Sequence, residues 1–382
     1  MHVITTTDEL ETLVSRLEKH SYVTIDTEFL RENTFWPILC LVQIASDDES
    51  AIIDPMAKGI DLKPLFGLLA NEKVLKVFHA GRQDLEIFFH LSGEVPSPIF
   101  DTQVAAMVCG FGESVGYDNI VAKILGKSID KSSRFTDWSR RPLSERQLQY
   151  AEADVTHLRN VYKFLNDKLE ESGRADWVLS EMEVLRSPDT YFVPPQEVWK
   201  RIKSRNNQPK FLAILQAVAA WREEQAHKQD VPRNRIVRDE ALLEIASNPP
   251  KTKEALSHVR GLGKRFSDGR MGEDLLNAVQ KGLNLPKAQC PQVARKEALP
   301  KGAGPLMDLL KVLLKLRSEE NEVAQKLICN TSDLEKFAVD SEAEVPALKG
   351  WRRKVFGEDA LKLKNGEIAL SSQDSKIKII RL

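Results

Sequence analysis

The chain has 382 residues, enough for two or three domains at roughly 100 to 200 residues each, and its 42% hydrophobic and 29% charged content excludes a mainly disordered chain. A net charge of -1 conceals a segregation: residues 1–195 hold 20 Lys and Arg against 31 Asp and Glu (-11), residues 196–290 hold 18 against 11 (+7), and residues 291–382 hold 17 against 14 (+3). An acidic part beside a basic one suits a carboxylate-rich catalytic domain joined to a module that grips a polyanion.

Thr5 to Lys19 reads as an amphipathic helix with Leu10, Leu13, Val14 and Leu17 on one face, followed by a short β-rich run from Tyr22 to Asp26. Leu39 to Ala45 and Ser50 to Ile53 are further strands, parted by the turn residues Asp47, Asp48 and Glu49. Leu62 to Leu69 is a helix, Val74 to Phe78 is a strand feeding a helix from Arg82 to Leu91, and Asp101 to Cys109 and Glu145 to Glu170 add more helix. Strands early and helices late indicate an α/β domain. Gly126 to Pro142, polar and rich in Arg, Lys and Ser, is expected as a loop at the mouth of a site. Pro188, Pro194 and Pro195 cannot continue a helix and end this half.

Behind that boundary Phe211 to Ala220, Glu240 to Ala246 and Thr252 to Val259 are helical periods of a small all-α bundle. The stretch from Pro286 to Pro305 reads as a linker, and a second helical unit starts near Leu306. It echoes the first at an offset of about 95 residues, with Leu316-Arg317-Ser318-Glu319-Glu320 resembling Trp221-Arg222-Glu223-Glu224. Cys40, Cys109, Cys290 and Cys329 form no CxxC pair, which argues against a disulfide framework or a zinc site. With no basic-and-apolar leader and no run of about 18 apolar residues, the expectation is a cytoplasmic protein without a membrane span.

Asp26 and Glu28 stand one residue apart on a predicted strand, so their carboxylates share a face, an arrangement that either raises their pKa or binds a hard cation such as Mg²⁺ or Mn²⁺. Asp84 lies in the first turns of a helix after an apolar strand, near the sheet's C-terminal edge. Tyr150 and Asp154, at i and i+4, share one helix face. Singly, each has an ordinary structural explanation as a solvated strand end, a dipole partner or a core aromatic.

Together, Asp26-Thr27-Glu28-Phe29, Phe78-His79-Ala80-Gly81-Arg82-Gln83-Asp84-Leu85 and Tyr150-Ala151-Glu152-Ala153-Asp154-Val155 resemble the three exonuclease motifs of the DEDD superfamily. A tyrosine four residues before Asp154, with no histidine five before it, places the resemblance in the tyrosine branch, in the ribonuclease D family. The strand Leu39 to Ile44 and the segment Asp137-Trp138 through Arg146 extend the likeness over nearly all of residues 1–170. The resemblance implies a ribonuclease H-like mixed-sheet domain over residues 1–190 that hydrolyses phosphodiesters from the 3′ end with two divalent ions, Mg²⁺ or Mn²⁺. By the same resemblance Asp26, Glu28, Asp84 and Asp154 hold the ions. Tyr150, a poor base at neutral pH because its usual pKa is about 10, orients the nucleophile.

Nucleic-acid contacts are expected from Phe29, Phe35 and Trp36 by stacking on terminal bases, and from Lys131, Arg134, Arg140 and Arg141 on phosphates, packing within the loop or plain solvation being the alternatives. His79 follows a buried strand, and hard ions prefer oxygen, so it is expected in a structural role or against the substrate backbone. Residues 205–286 resemble an HRDC domain, a helical nucleic-acid module, and residues 303–382 a second, divergent one. In the first, Gly261-Leu262-Gly263 flanked by Arg260, Lys264 and Arg265 is a candidate phosphate cradle; the second has Lys349-Gly350-Trp351-Arg352-Arg353 there instead. The family implies trimming of 3′ extensions from tRNA precursors and other small structured RNAs, by a monomer. A DNA-directed exonuclease or an inactive RNA-binding scaffold are the rival readings.

Overall fold

A computed structural model describes residues 2–293, Pro300 and 303–382. Much of the expected Pro286–Pro305 linker lies outside the described residues.

The first 190 residues build a six-stranded mixed sheet, ordered β1-β4-β3-β2-β5-β6, from β1 (Val3–Ile4), β2 (Tyr22–Leu30), β3 (Ile38–Ala45), β4 (Ser50–Ile53), β5 (Leu75–Phe78) and β6 (Ile99–Asp101). β2, β3 and β4 pair antiparallel as a meander, whereas β2, β5 and β6 run parallel because helices connect them. These are α2 (Lys63–Ala70) and α3 (Arg82–Ser92), with α1 (Thr7–Leu17) before them and α4 (Thr102–Val108), α5 (Tyr117–Leu125), α6 (Glu145–Ser172) and α7 (Ala175–Arg186) after. Alternation along β2 sends Val23 and Ile25 into the core, while Thr24 faces α6 and donates to the Val155 carbonyl at 2.9 Å. Asp26 and Glu28 lie on that same face by period two.

α6 begins with a capping box: the Ser144 hydroxyl accepts from Gln147 N at 3.3 Å and Gln147 Oε1 accepts from Ser144 N at 3.0 Å. Its buried stripe of Ala151, Asp154, Val155, Leu158, Val161, Leu165 and Leu169 is apolar except at Asp154.

A second core gathers α8 (Pro209–Gln229), α9 (Arg233–Ile236), α10 (Asp239–Ser247), α11 (Lys253–Ser257), α12 (Lys264–Asp268) and α13 (Arg270–Asn284). The third gathers α14 (Ala303–Glu320), α15 (Gln325–Ile328), α16 (Thr331–Val339), α17 (Gly350–Arg352) and α18 (Glu358–Lys364). Expected as a purely helical bundle, this last unit instead closes with a hairpin of β7 (Ile368–Gln373) and β8 (Lys376–Arg381), whose alternating Ile377, Ile379 and Lys376, Lys378 follow strand period. The short β1 and β6 and the helices α5, α7 and α13 have no counterpart among the elements expected from sequence; Asp101, expected to start a helix, ends β6 and caps α4, accepting from Gln103 N at 2.8 Å and Val104 N at 3.3 Å.

Candidate active site

Three motifs distant in sequence converge on one pocket of about 500 Å³, lined by Asp26, Glu28, Asp84, Tyr150 and Asp154 together with Thr27, Phe29, His79, Gln83, Tyr117 and Arg134. β2 supplies Asp26 and Glu28, and a bulge between Glu28 and Phe29 re-aims the strand directly after the pair. Asp84 enters from the first turn of α3, reached through a turn that runs close to Phe78. A Cβ on Gly81 would lie 2.5 Å from the Phe78 Cβ, so only glycine fits there. Ala80 adopts φ +55, and the Asp101 carboxylate pins the turn by accepting from Ala80 N at 3.1 Å and Gly81 N at 2.9 Å. The Thr27 hydroxyl donates to Asp84 Oδ1. α6 presents Tyr150 and Asp154 one turn apart.

Electrostatically the pocket is overloaded. Burial, then the charges of Asp84, Asp154 and Glu28, push the Asp26 carboxyl well above the carboxylate range. Burial, then Asp154 and Asp84, raise Glu28 to about 9. Asp84 and Asp154 rise to about 7, again chiefly by burial, with the Thr27 hydrogen bond pulling Asp84 down and Tyr150 and Arg134 pulling Asp154 down. Asp154 Oδ1 is buried without a hydrogen-bond partner among the described residues. Tyr150 is pushed above its ordinary pKa by burial and by Asp154, Glu28 and Asp26, so its hydroxyl keeps its proton. Among the described residues no three His, Cys, Asp or Glu side chains stand close enough together to enclose an ion by themselves. The donors fit a hard cation that keeps waters and takes only one or two carboxylates per ion. An unpartnered buried carboxylate oxygen among mutually repelling acids fits it too.

His79 lines the pocket with its Nδ1 2.9 Å from the Thr102 hydroxyl, and burial lowers its pKa. The expected loop at the mouth is there: Lys131, Arg134 and Phe135 line the pocket rim, Lys131 paired with Asp118 at 2.6 Å. Phe135 is 89% exposed with the Arg134 guanidinium 5.3 Å from its ring, an aromatic the sequence reading passed over although it sits in that basic loop.

Three of the residues expected at nucleic acid have partners within the chain. Trp36 stacks on His90 (3.9 Å, 9°) and Phe35 packs on His227 (4.2 Å) under Arg233. Asp230 accepts from both backbone N–H groups, so this aromatic pair joins the first helical unit to the exonuclease domain. The Arg141 guanidinium is spent on Asp54 (2.6 and 2.7 Å) and on the Cys40, Trp138 and Arg140 carbonyls. Arg140 is exposed and, among the described residues, paired only with Asp137 at 3.2 Å. Phe29 lines the pocket. Arg260 borders a separate cleft of about 1060 Å³ with Arg235, Arg238 and Gly261, and Lys264 and Arg265 lie exposed beside it on α12. Where the third unit departs from that pattern, Trp351 stacks on Trp177 of α7 (4.4 Å, 6°), and Arg352 pairs with Glu181 and donates to the Leu327 carbonyl at 2.6 Å.

Residues 1–170 match the 3′-5′ exonuclease family model and residues 211–279 the HRDC domain model, so fold and pocket define a 3′-to-5′ exonuclease domain followed by an HRDC domain. Relatives named ribonuclease D from Nitrobacter hamburgensis and Granulibacter bethesdensis are each 50% identical, covering 99% of this chain and 98% and 96% of their own lengths. The crystal structure of Escherichia coli RNase D, described as an exoribonuclease involved in structured RNA processing, superposes with a TM-score of 0.82 at 31% identity, covering 96% of this chain and 98% of that one. The chain belongs to the ribonuclease D family, enzymes of the exoribonuclease type. Among the described residues no helix is long and apolar enough to cross a membrane.

Proposed function

We propose that this chain shortens RNA from the 3′ end, releasing nucleoside 5′-monophosphates, with tRNA precursors and other small structured RNAs as substrates in the cytoplasm. The observation that carries this reading is the cluster of four acids, all raised by burial and two of them, Asp26 and Glu28, also by the charges of the others, with Asp154 Oδ1 unpartnered among the described residues. Asp26, Glu28, Asp84 and Asp154 would hold two divalent cations, Mg²⁺ or Mn²⁺, which supply charge neutralisation and activation of water for in-line displacement at phosphorus. Tyr150, kept protonated, orients the nucleophile by hydrogen bonding rather than by taking its proton. Arg134 brings the pocket positive charge toward the scissile phosphate, and the exposed Phe135 offers a face to the 3′-terminal base. Arg260, Lys264 and Arg265, with Arg235 and Arg238 in the adjoining cleft, hold the backbone upstream. The long, one-turn and nine-residue helices α14, α15 and α16 repeat the order of α8, α9 and α10, which supports reading the third unit as a divergent HRDC domain.

The test is nucleotide release from a 5′-labelled tRNA with a short 3′ extension, in Mg²⁺ or chelator, beside a matching DNA strand and the Asp154→Asn variant. A ladder shortening from the RNA 3′ end, absent in chelator and in the variant, is expected. Preferential shortening of DNA, or tight binding without shortening in any metal, would overturn the reading.

A further inference from the structure

The loop between α4 and α5 spans eight residues, 109–116, and two of its glycines, Gly110 (φ +85) and Gly112 (φ +102), are left-handed. Its residues 112–114 are exposed, while its own domain holds the two ends: Cys109 and Val115 are buried in the first core, Phe111 packs against Phe164, Phe111 N donates to the Ala106 carbonyl (2.9 Å) and Gln103 Nε2 to the Val115 carbonyl (3.1 Å). The third unit adds a set of tethers from one short edge. Glu113 Oε1 accepts from Gln325 N at 2.7 Å, its Oε2 accepts from Lys326 N at 3.3 Å, and Lys326 Nζ donates to the Ser114 hydroxyl at 2.6 Å. Next to them, Ala324 N donates to the Met107 carbonyl at 2.9 Å.

The same loop delivers Tyr117 into the pocket as the first residue of α5. Its ring lies 5.3 Å from that of His79, and its hydroxyl donates to the backbone carbonyl of Asp154. α5 starts on Gly116 without a side-chain cap, so Tyr117 at its first position is placed by the loop before it together with the packing of Ile120 and Val121.

We propose that Tyr117 is a positioning residue for Asp154, and that the third unit acts on catalysis by clamping, through Glu113, the loop that carries Tyr117. The inference rests on the exoribonuclease reading above. It gives the third unit a task other than gripping RNA: Trp351 and Arg352, which stand where the first helical unit has its basic Gly-Leu-Gly turn, dock the third unit on Trp177 and Glu181 of α7, and Arg352 also ties α15 to that contact through the Leu327 carbonyl. Hydrogen bonds from Gln325 and Lys326 then reach the loop, and one from Ala324 reaches the last turn of α4 just before it. A hydroxyl on the Asp154 carbonyl fixes the turn of α6 that aims the carboxylate, and a displacement well under 1 Å there is enough to slow chemistry without weakening substrate binding.

The experiment compares full-length wild type, Tyr117→Phe, Glu113→Ala, Glu113→Gln and the Glu113→Ala/Tyr117→Phe double variant in steady-state RNA shortening with saturating Mg²⁺, alongside hydrogen–deuterium exchange of residues 111–117. Tyr117→Phe and Glu113→Ala should each lower kcat about tenfold with KM within about twofold of wild type. Glu113→Gln keeps an oxygen acceptor and should recover most of that loss. The double variant should be no slower than the worse single one, because both act through one chain of contacts. Exchange in 111–117 should quicken in Glu113→Ala and not in Glu113→Gln. Wild-type kcat in Glu113→Ala, multiplying losses in the double variant, or a raised KM at unchanged kcat would overturn the proposal, the last making the third unit an RNA grip. Wild type that shortens no RNA would overturn the exoribonuclease reading instead, and unchanged exchange in Glu113→Ala would then remove the clamp as well.

Discussion

Replacing Asp154 by Asn should stabilise the metal-free protein while abolishing RNA shortening. Asp154 is 5% exposed, and burial raises its carboxyl from 3.8 to about 7. A carboxyl raised in the folded state contributes stability that is full below its unfolded pKa and is lost as pH rises through the folded one. Well above about pH 7 the ionised folded form bears the whole rise, about 4 kcal/mol, whereas near pH 5 only the part between 3.8 and 5 is felt, about 2 kcal/mol. Asn titrates in neither state. The advantage of Asp154→Asn over wild type should therefore grow from about 2 kcal/mol near pH 5 to about 4 kcal/mol near pH 8. The assay is urea unfolding in chelator, read by tryptophan fluorescence on the first transition, since three cores need not unfold together. Mg²⁺ or Mn²⁺ should raise the wild-type midpoint and leave the variant's nearly unmoved. Equal midpoints at pH 8 in chelator, or a gap that narrows as pH rises, would refute the reasoning that these acids await a cation.

Tyr150→Phe should slow turnover less than Asp154→Asn and leave metal-dependent stabilisation intact, because it removes a hydroxyl that orients and not a carboxylate that holds an ion; equal losses of kcat would contradict this division. Ser144→Ala removes the capping box of α6 and should cost about 1 kcal/mol, measured as a lower unfolding midpoint in the exonuclease domain. Arg141→Ala breaks a pair with Asp54 that is shielded on both sides and should cost about 2 kcal/mol, whereas Arg140→Ala should be close to neutral. Matched RNA-binding titrations check that neither loss is one of affinity. Phe135→Ala should raise KM for RNA several-fold with stability unchanged, since the ring packs on solvent.

Much of this was legible before any coordinates. Period-two and period-3.6 patterns mark β3, β4, α1, α3 and α6 within a few residues, because each buries a face whose spacing repeats. The acid pair on β2, Asp84 after β5 and the i, i+4 pair on α6 were found as local patterns, and the motif resemblance joined them. Some elements escaped: β1 and β6 have too few residues for a period, α5, starting at an uncapped glycine, is held by packing of Ile120 and Val121, and the longer α7 and α13 went unread as well. Phe35, Trp36 and Arg141 carry the same side chains whether they face RNA or another part of the chain. Only the fold shows that Asp230 and His227 claim the first two and Asp54 the third.

By itself, then, the sequence determined which segments are amphipathic, which acids share a face and where the basic charge is concentrated, all properties of neighbours along the chain. The tertiary structure alone decided which acids repel one another, that Thr27 serves Asp84, and that Glu113 and Tyr117 link the third unit to Asp154. Burial and Coulomb energy depend on distance in space, and residues 113 and 325 are remote along the chain until helices from two cores bring them within a hydrogen bond.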